Sequence, residues 1–439
     1  MEAIKRLSSS FRDPSGYVYE QDGIIYRKIS EDYRPVVEKF VSSGLYKELT
    51  DRRAVLPFRW VEDTLIPEQV PFISYPYEWS FSMLKDAALL TLSIQHLSLE
   101  YGMQLKDASA YNIQFVKGRP VLIDHLSFYP YTEGEPWVAY SQFCRHFLAP
   151  LALMAYKKDN FIRHLQLELD GLKLGHSSHL LPFRAYLKPG LLMHLKLHGI
   201  DSKAVAPRPS MRISKFKLQA LVKNLHSTVK GLEWRPTSGW KDYKLACNYT
   251  SEAEDSKTEI VSSYLRQVDS KVVADLGSNT GRYSRLASDL EARVISIDSD
   301  PACVELCYKE NTGDILSLVI DLTNPSPSIG WEGTERNSFL SRFNADTILA
   351  LALIHHLAIG NNLPLSRIST FLANYCDYLV IEFVPKEDSQ VQKMLSSRID
   401  IFPTYTKKGF EEAFSTDFSI LDSKRVEGTV RDLYLMEVK

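Results

Sequence analysis

The stretch Val273-Ala-Asp-Leu-Gly-Ser-Asn-Thr-Gly281 decides the reading of the second half of this chain. It begins inside a short apolar run, 272–276, of the kind that forms a strand buried on both faces. The aspartate at 275 comes near the end of that run. Gly277 and Gly281 then frame a turn in which the backbone can pass close to a ligand. Asn279 stands where a third glycine would be expected, and asparagine is the residue that best tolerates positive φ after glycine. Ser278 lies within the turn, and a helix is expected from Arg282.

The pattern repeats on either side of this turn. Further strands are expected at 293–298, 315–322, 345–353 and 378–384, with amphipathic segments between them. A closing antiparallel pair is expected at 418–426 and 430–438. Strands alternating with helices predict an α/β domain with a parallel sheet and helices on both faces. In such a sheet the ligand sits at the carboxyl ends of the strands. Three of those ends are acidic: Asp275, then Asp298-Ser299, then Asp321-Leu322. A carboxylate after the second strand can accept hydrogen bonds from both hydroxyls of a ribose. An acid beside a leucine suits the edge and face of an adenine.

Together these residues resemble the first motif and its companions in class I S-adenosylmethionine-dependent methyltransferases, over roughly 240–439. The resemblance implies a Rossmann-like, seven-stranded domain with S-adenosyl-L-methionine as cofactor. It implies that Asp275 and the backbone of Gly277, Ser278, Asn279 and Gly281 hold the methionine end. Asp298 and Ser299 would then hold the ribose, and Asp321 and Leu322 the adenine. A nicotinamide-binding domain would instead carry Gly-x-Gly-x-x-Gly and seat a pyrophosphate at the helix N-terminus, and the spacing here departs from that. The runs Leu351-Ala-Leu-Ile-His-His356 and Glu382-Phe-Val-Pro-Lys386 are similar to those of bacterial nodulation-associated methyltransferases, which points to the reaction class and not to the acceptor.

Methyl transfer is an in-line displacement, so the protein chiefly positions the acceptor and, for an oxygen acceptor, supplies a base. His355 and His356 end the fourth strand, where substrate residues are expected, and histidine is the natural base near neutral pH. They could equally cap the next helix or line the cofactor pocket. Glu382 lies in an apolar strand and is costly to bury alone, so it should face the site or meet a cation. Arg398 is the candidate partner. Trp240, Tyr243 and Tyr249 are candidates to close over the cofactor.

In the first half, Leu105-Lys-Asp-Ala-Ser-Ala-Tyr-Asn112 precedes Gly118-Arg-Pro-Val-Leu-Ile-Asp124. An Asp, an Asn shortly after it and a second Asp beyond a hairpin resemble the catalytic loop and metal-binding segment of kinase-like phosphotransferases. The resemblance implies a kinase-like α+β domain and a vestigial nucleotide site at Lys28, Asp107, Asn112 and Asp124. No Gly-rich loop precedes Lys28, and His125-Leu126 stand where Phe-Gly would follow the second Asp. The plain alternative is that these polar residues cap turns.

The expected organisation is a kinase-like domain at 1–201, a basic linker helix at 202–239 and the methyltransferase domain at 240–439. The linker is rich in Lys and Arg, with no acid from 202 to 232. Across 439 residues, 52 Lys and Arg oppose 54 Asp and Glu for a net charge of −2, so no global field points to nucleic acid. The five cysteines are odd in number and widely spaced, and Cys303 and Cys307 have neither a histidine nor a second cysteine pair nearby, so no metal site is expected and the thiols are read as reduced. The chain shows neither a signal peptide nor an apolar run able to span a bilayer, and a cytoplasmic location is expected. The expected activity is methyl transfer to an oxygen or nitrogen of a small-molecule or glycan-type acceptor, the first domain aiding acceptor binding or regulation. Two alternatives stay open: an RNA or protein methyltransferase, and a bifunctional or pseudokinase-regulated protein that binds ATP. Oligomeric state is not legible.

Overall fold

The computed structural model describes residues 5–157, 159–198, 212–235, 250–396 and 398–439. Trp240, Tyr243, Tyr249 and the expected boundaries at 201/202 and 239/240 lie outside the described residues. The chain divides into two units, Met1–Pro236 with Pro327–Ser338, and Thr237–Ser326 with Phe339–Lys439.

The first unit opens with five short strands: β1 (Lys5–Arg6), β2 (Gly16–Gln21), β3 (Ile24–Ile29), β4 (Phe58–Val61) and β5 (Thr64–Pro67). They form an antiparallel sheet in the order β1-β2-β3-β5-β4. Asp22 and Gly23, both at positive φ, make the two-residue turn of the β2–β3 hairpin. The long helix Phe81–Glu100 starts at Ser80, whose hydroxyl accepts the Met83 N–H. Four short strands follow: β6 (Met103–Leu105), β7 (Ile113–Val116), β8 (Arg119–Leu122) and β9 (Phe128–Pro130). β6 pairs with β9, and β7 with β8. The loop after β6 and the loop after β8 therefore emerge side by side, joined by Lys106 N–H to Ser127 C=O (2.8 Å) and Ile123 N–H to Asn112 C=O (2.8 Å). The basic helix runs from Lys215 to Lys230, capped by Ser214. It buries Leu218, Val222, Leu225 and Val229 and packs on Phe81–Glu100 inside this unit.

Residues 327–338 also belong to the first unit. Glu335 pairs with Arg12 at 3.1 Å, the Asn337 N–H donates to the Tyr75 hydroxyl at 3.0 Å, and the Arg336 guanidinium lies 4.5 Å over the Tyr111 ring.

In the second unit the apolar runs become one seven-stranded sheet: β10 (Val272–Leu276), β11 (Arg293–Asp298), β12 (Ile315–Val319), β13 (Thr347–Ala350), β14 (Tyr378–Phe383), β15 (Phe418–Arg425) and β16 (Asp432–Val438). Their order is β12-β11-β10-β13-β14-β16-β15, parallel except for β16, which runs antiparallel to both neighbours. β10 is central, in register Val273 with Val294 on one side and Thr347 on the other. Helices cover both faces, which is why Val273, Leu276, Val294, Ile297, Ile348 and Leu379 are all buried. β12 stops at Val319 rather than at the expected 322. Ile320 N–H bonds the Asp298 carbonyl at 2.9 Å, after which the chain turns away from the sheet.

Candidate functional site

The carboxyl ends of β10, β11, β12 and β13 surround a cavity of about 380 Å³ that lies wholly in the second unit. The turn after β10 forms its floor. The N–H groups of Gly277 and Ser278 both reach back to the Ile297 carbonyl, at 2.8 and 3.0 Å, and lash the turn to β11. Gly277, Asn279 and Gly281 all adopt positive φ, at 73°, 50° and 79°. A Cβ on Gly281 would stand 2.3 Å from the Cys307 sulfur. Gly281 therefore does not line the cavity; it lets the helix Arg282–Asp289 pack against the next one, while Gly277, Ser278 and Asn279 do line it.

Asp298 is positioned by two backbone donors, Asn279 N–H to Oδ2 and Asp300 N–H to Oδ1, each 2.8 Å. Burial pushes its carboxyl above the ordinary range, against the pull of these N–H groups. Ser299 lines the cavity beside it. Asp321 and Leu322 lie just past β12, with Asp321 Oδ1 accepting from the N–H and the hydroxyl of Thr323 at 2.9 and 2.6 Å.

Asp275 also borders the cavity but is almost fully buried, and burial raises its pKa to about 6. The Ser284 hydroxyl donates to it at 2.6 Å. Ser296 lies 3.0 Å from Ser284 and donates to Ser278 at 2.8 Å, so three serines form a hydroxyl chain behind the turn. Sequence reasoning missed this chain. The signal was there in polar Ser296 at the centre of an otherwise apolar β11.

The two histidines separate. His356 lines the cavity, and burial followed by the nearby Arg431 charge lowers its pKa, so its imidazole is neutral at neutral pH. His355 is fully buried beside it, rings 4.2 Å apart, and neither of its ring nitrogens has a hydrogen-bond partner. Burial, and then His356, hold His355 neutral as well.

Glu382 does not line the cavity. It is fully buried, bonded to Lys257 at 2.6 Å, with Arg431 at 3.6 Å. Arg431 also grips Asp388 at 2.7 and 3.1 Å. The expected partner, Arg398, donates instead to the Ile359 carbonyl. The cations that meet Glu382 come from the helix Ser251–Val268 and from the turn before β16, both distant in sequence from β14. Lys257 borders the cavity and lies 5.2 Å from the Tyr283 ring centre. Glu254 and Arg282, an ion pair, also line this end.

In the first unit the two loops bring Asp107, Asn112 and Asp124 together. Asp107 accepts the Ser109 N–H at 2.8 Å, and Asp124 accepts the Leu126 N–H at 3.1 Å and the Ser127 hydroxyl at 2.6 Å. The Asn112 amide donates to Ser127 at 3.1 Å. Lys28 is not part of this group; it pairs with Asp63 on the half-exposed face of the sheet. Successive residues of a strand point to opposite faces, and on β3 it is Arg27 that turns inward to Asp124.

No protein-family model matches the chain. The nodulation protein NoeA of Rhizobium meliloti (strain 1021) is 34% identical over 464 residues, spanning 98% of this chain and 96% of that protein. Among solved structures, the magnesium protoporphyrin IX methyltransferase ChlM of Synechocystis PCC 6803 with bound SAM aligns at 14% identity and a TM-score of 0.32, covering 45% of this chain and 90% of its own. The bifunctional kinase-methyltransferase WbdD aligns at 13% identity and a TM-score of 0.30, covering 42% of this chain and 39% of its own.

Proposed function

This chain belongs to the family of the nodulation protein NoeA, and we propose that it is a methyltransferase that moves a methyl group from S-adenosylmethionine to an oxygen or nitrogen of a small-molecule or glycan-type acceptor. The observation that carries the proposal is the convergence of Asp275, Asp298 and Asp321 on one cavity, floored by a turn with three positive-φ residues. Its volume of about 380 Å³ falls in the range of small-molecule sites, roughly 300–1,000 Å³. The methyltransferase domain is taken as 240–439 and the kinase-like domain as 1–201.

In this reading the cofactor supplies an electrophilic methyl group on a sulfonium, and the chain supplies the rest. Asp298, with one backbone N–H on each carboxylate oxygen, uses the remaining lone pairs to accept the ribose hydroxyls. Leu322 covers the adenine face and Asp321 meets its edge. Asp275 and the 277–279 backbone hold the methionine end. His356, neutral and exposed to the cavity, takes the proton from an acceptor hydroxyl as the new bond forms. His355 and Glu382 touch no substrate here; Glu382 anchors Lys257 at the cavity rim.

Asp298→Ala tests the assignment. Titration calorimetry on the full chain should show cofactor affinity falling by about 100-fold or more, as expected for removing a charged acceptor from paired hydroxyls. Circular dichroism should stay unchanged. Wild-type affinity in that variant would remove the pocket assignment.

A further inference from the structure

Asp124 in the first unit has both carboxylate oxygens engaged by the protein itself. Arg27 and the Leu126 N–H meet Oδ1, and the Ser127 hydroxyl meets Oδ2. The guanidinium and the carboxylate are both largely buried, with side-chain exposures of 15% and 12%. Arg27 also lies 3.8 Å from Asp13, whose other oxygen is 3.8 Å from Lys106. Lys106 in turn donates to the Ser15 hydroxyl and sits 4.1 Å over the Tyr33 ring. Two cations and the carboxylates of Asp13 and Asp124 thus alternate through the space between β3 and the loops after β6 and β8. Asn112 gives its amide N–H to Ser127.

A kinase-like site requires the Asn and the second Asp to hold a magnesium ion that bridges phosphates. Magnesium demands near-octahedral oxygen coordination at about 2.0–2.1 Å and binds through carboxylates open to it. The residues here do not fit that group. Asp124 already carries a cation, the Arg27 guanidinium, on the same oxygen that accepts the Leu126 N–H. The lysine that would meet a phosphate, Lys28, is committed to Asp63 on the other face of β3.

We propose that Arg27 takes the metal's place: its guanidinium neutralises Asp124 from within, and the first unit keeps the kinase-like loop geometry without holding a magnesium–nucleotide complex. This rests on the kinase-like reading of that unit. The first unit then carries no phosphoryl transfer.

The test is thermal melting of the full-length protein with cofactor titration as a folding control. Wild-type melting should be unmoved by magnesium with ATP. Arg27→Ala should melt lower, and millimolar Mg²⁺ or Mn²⁺ should restore part of the loss. Adding Asp124→Asn to that variant should abolish the recovery, while calorimetric binding of S-adenosylmethionine stays at wild-type strength throughout. If Arg27→Ala yields no folded protein, Arg27→Lys is the second variant; it keeps the charge and should melt lower yet respond to neither metal. Stabilisation of the wild type by magnesium with ATP, beyond that by ATP alone, would overturn the proposal and leave the kinase-like reading standing. An Arg27→Ala protein with intact cofactor binding and no response to either metal would overturn both, because Asp124 and Asn112 would then not be a metal seat at all.

Discussion

In the first unit Asp13 and Asp124 lie interleaved with Arg27 and Lys106, whereas in the second unit Asp275, Asp298 and Asp321 stand around a cavity and take their hydrogen bonds from backbone N–H groups and hydroxyls. Asp124, Asp275, Asp298 and Asp321 share one sequence signal, an acid at or just past the end of a short strand. The difference lies in what the fold brings opposite them. A carboxylate held by backbone donors keeps acceptor capacity for a ligand, and a carboxylate held by a guanidinium has found its partner. Spacing places an acid in a site. The charge that meets it decides whether the site is open.

Glu382 extends the comparison into the second unit, because it shares the fate of Asp124: buried, and met by Lys257 and Arg431. Glu382→Gln should therefore have the largest effect on stability of any change near the cavity. It leaves two buried cations with one fewer counter-charge, a loss of about 3–5 kcal/mol for breaking a buried pair. Chemical denaturation should record it, and Lys257→Met in the same background should recover part. A Glu382→Gln protein of wild-type stability with lost turnover would move Glu382 back among the catalytic groups and break the parallel with Asp124.

The inner strands of the second unit's sheet were legible in the sequence because β10 to β14 are short segments dominated by apolar residues, the composition of strands buried on both faces. The turn at 277–281 was legible for a local reason: glycines and Asn279 are the residues that accept positive φ. What stayed hidden was long-range. Nothing near Glu382 in sequence announces Lys257 or Arg431, and Arg398, nearer along the chain, was the natural but incorrect choice. The inward turn of Arg27 instead of Lys28 depends on which face of β3 meets the loops, a one-residue question of register that composition does not decide. The excursion of 327–338 into the first unit is invisible for the same reason: its anchors, Arg12, Tyr75 and Tyr111, are some 200 to 300 residues away.

The histidines give a contrast within a single turn. His356 borders the cavity and His355 lies behind it without hydrogen-bond partners on its ring. His356→Ala should lower kcat by about 100-fold, the lower end for loss of a general base, with cofactor affinity unchanged. Its pKa is depressed by burial and by Arg431, so the wild-type rate should fall on the acid side only below the ordinary histidine value, and the variant should lose that acid limb. His355→Ala should lower the melting temperature and keep the pH profile. Equal rate losses with matching pH profiles in both variants would erase the distinction.

The finest test compares two aspartates of opposite sign. Burial raises the Asp275 pKa to about 6 from its ordinary value of 3.8. Between those values the folded state binds more protons than the unfolded one, so the ionised carboxylate weakens the fold progressively as pH rises through about 6. Asp275→Asn should therefore stabilise the cofactor-free protein above pH 6, by up to about 3 kcal/mol, with the gain shrinking toward pH 4. It should also weaken cofactor binding at the methionine end. For Asp124, burial pushes upward, but Arg27, the Ser127 hydroxyl and the Leu126 N–H together outweigh it and hold the carboxyl below its ordinary value. Its ionised form supports the fold above the unfolded pKa, a contribution lost as pH falls through the lower folded value, so Asp124→Asn should destabilise the protein at neutral pH. Melting curves of the two variants across pH 4 to 8 should diverge in opposite directions from wild type, and the same sign in both would mean that the open and the self-neutralised acid sites are not physically different.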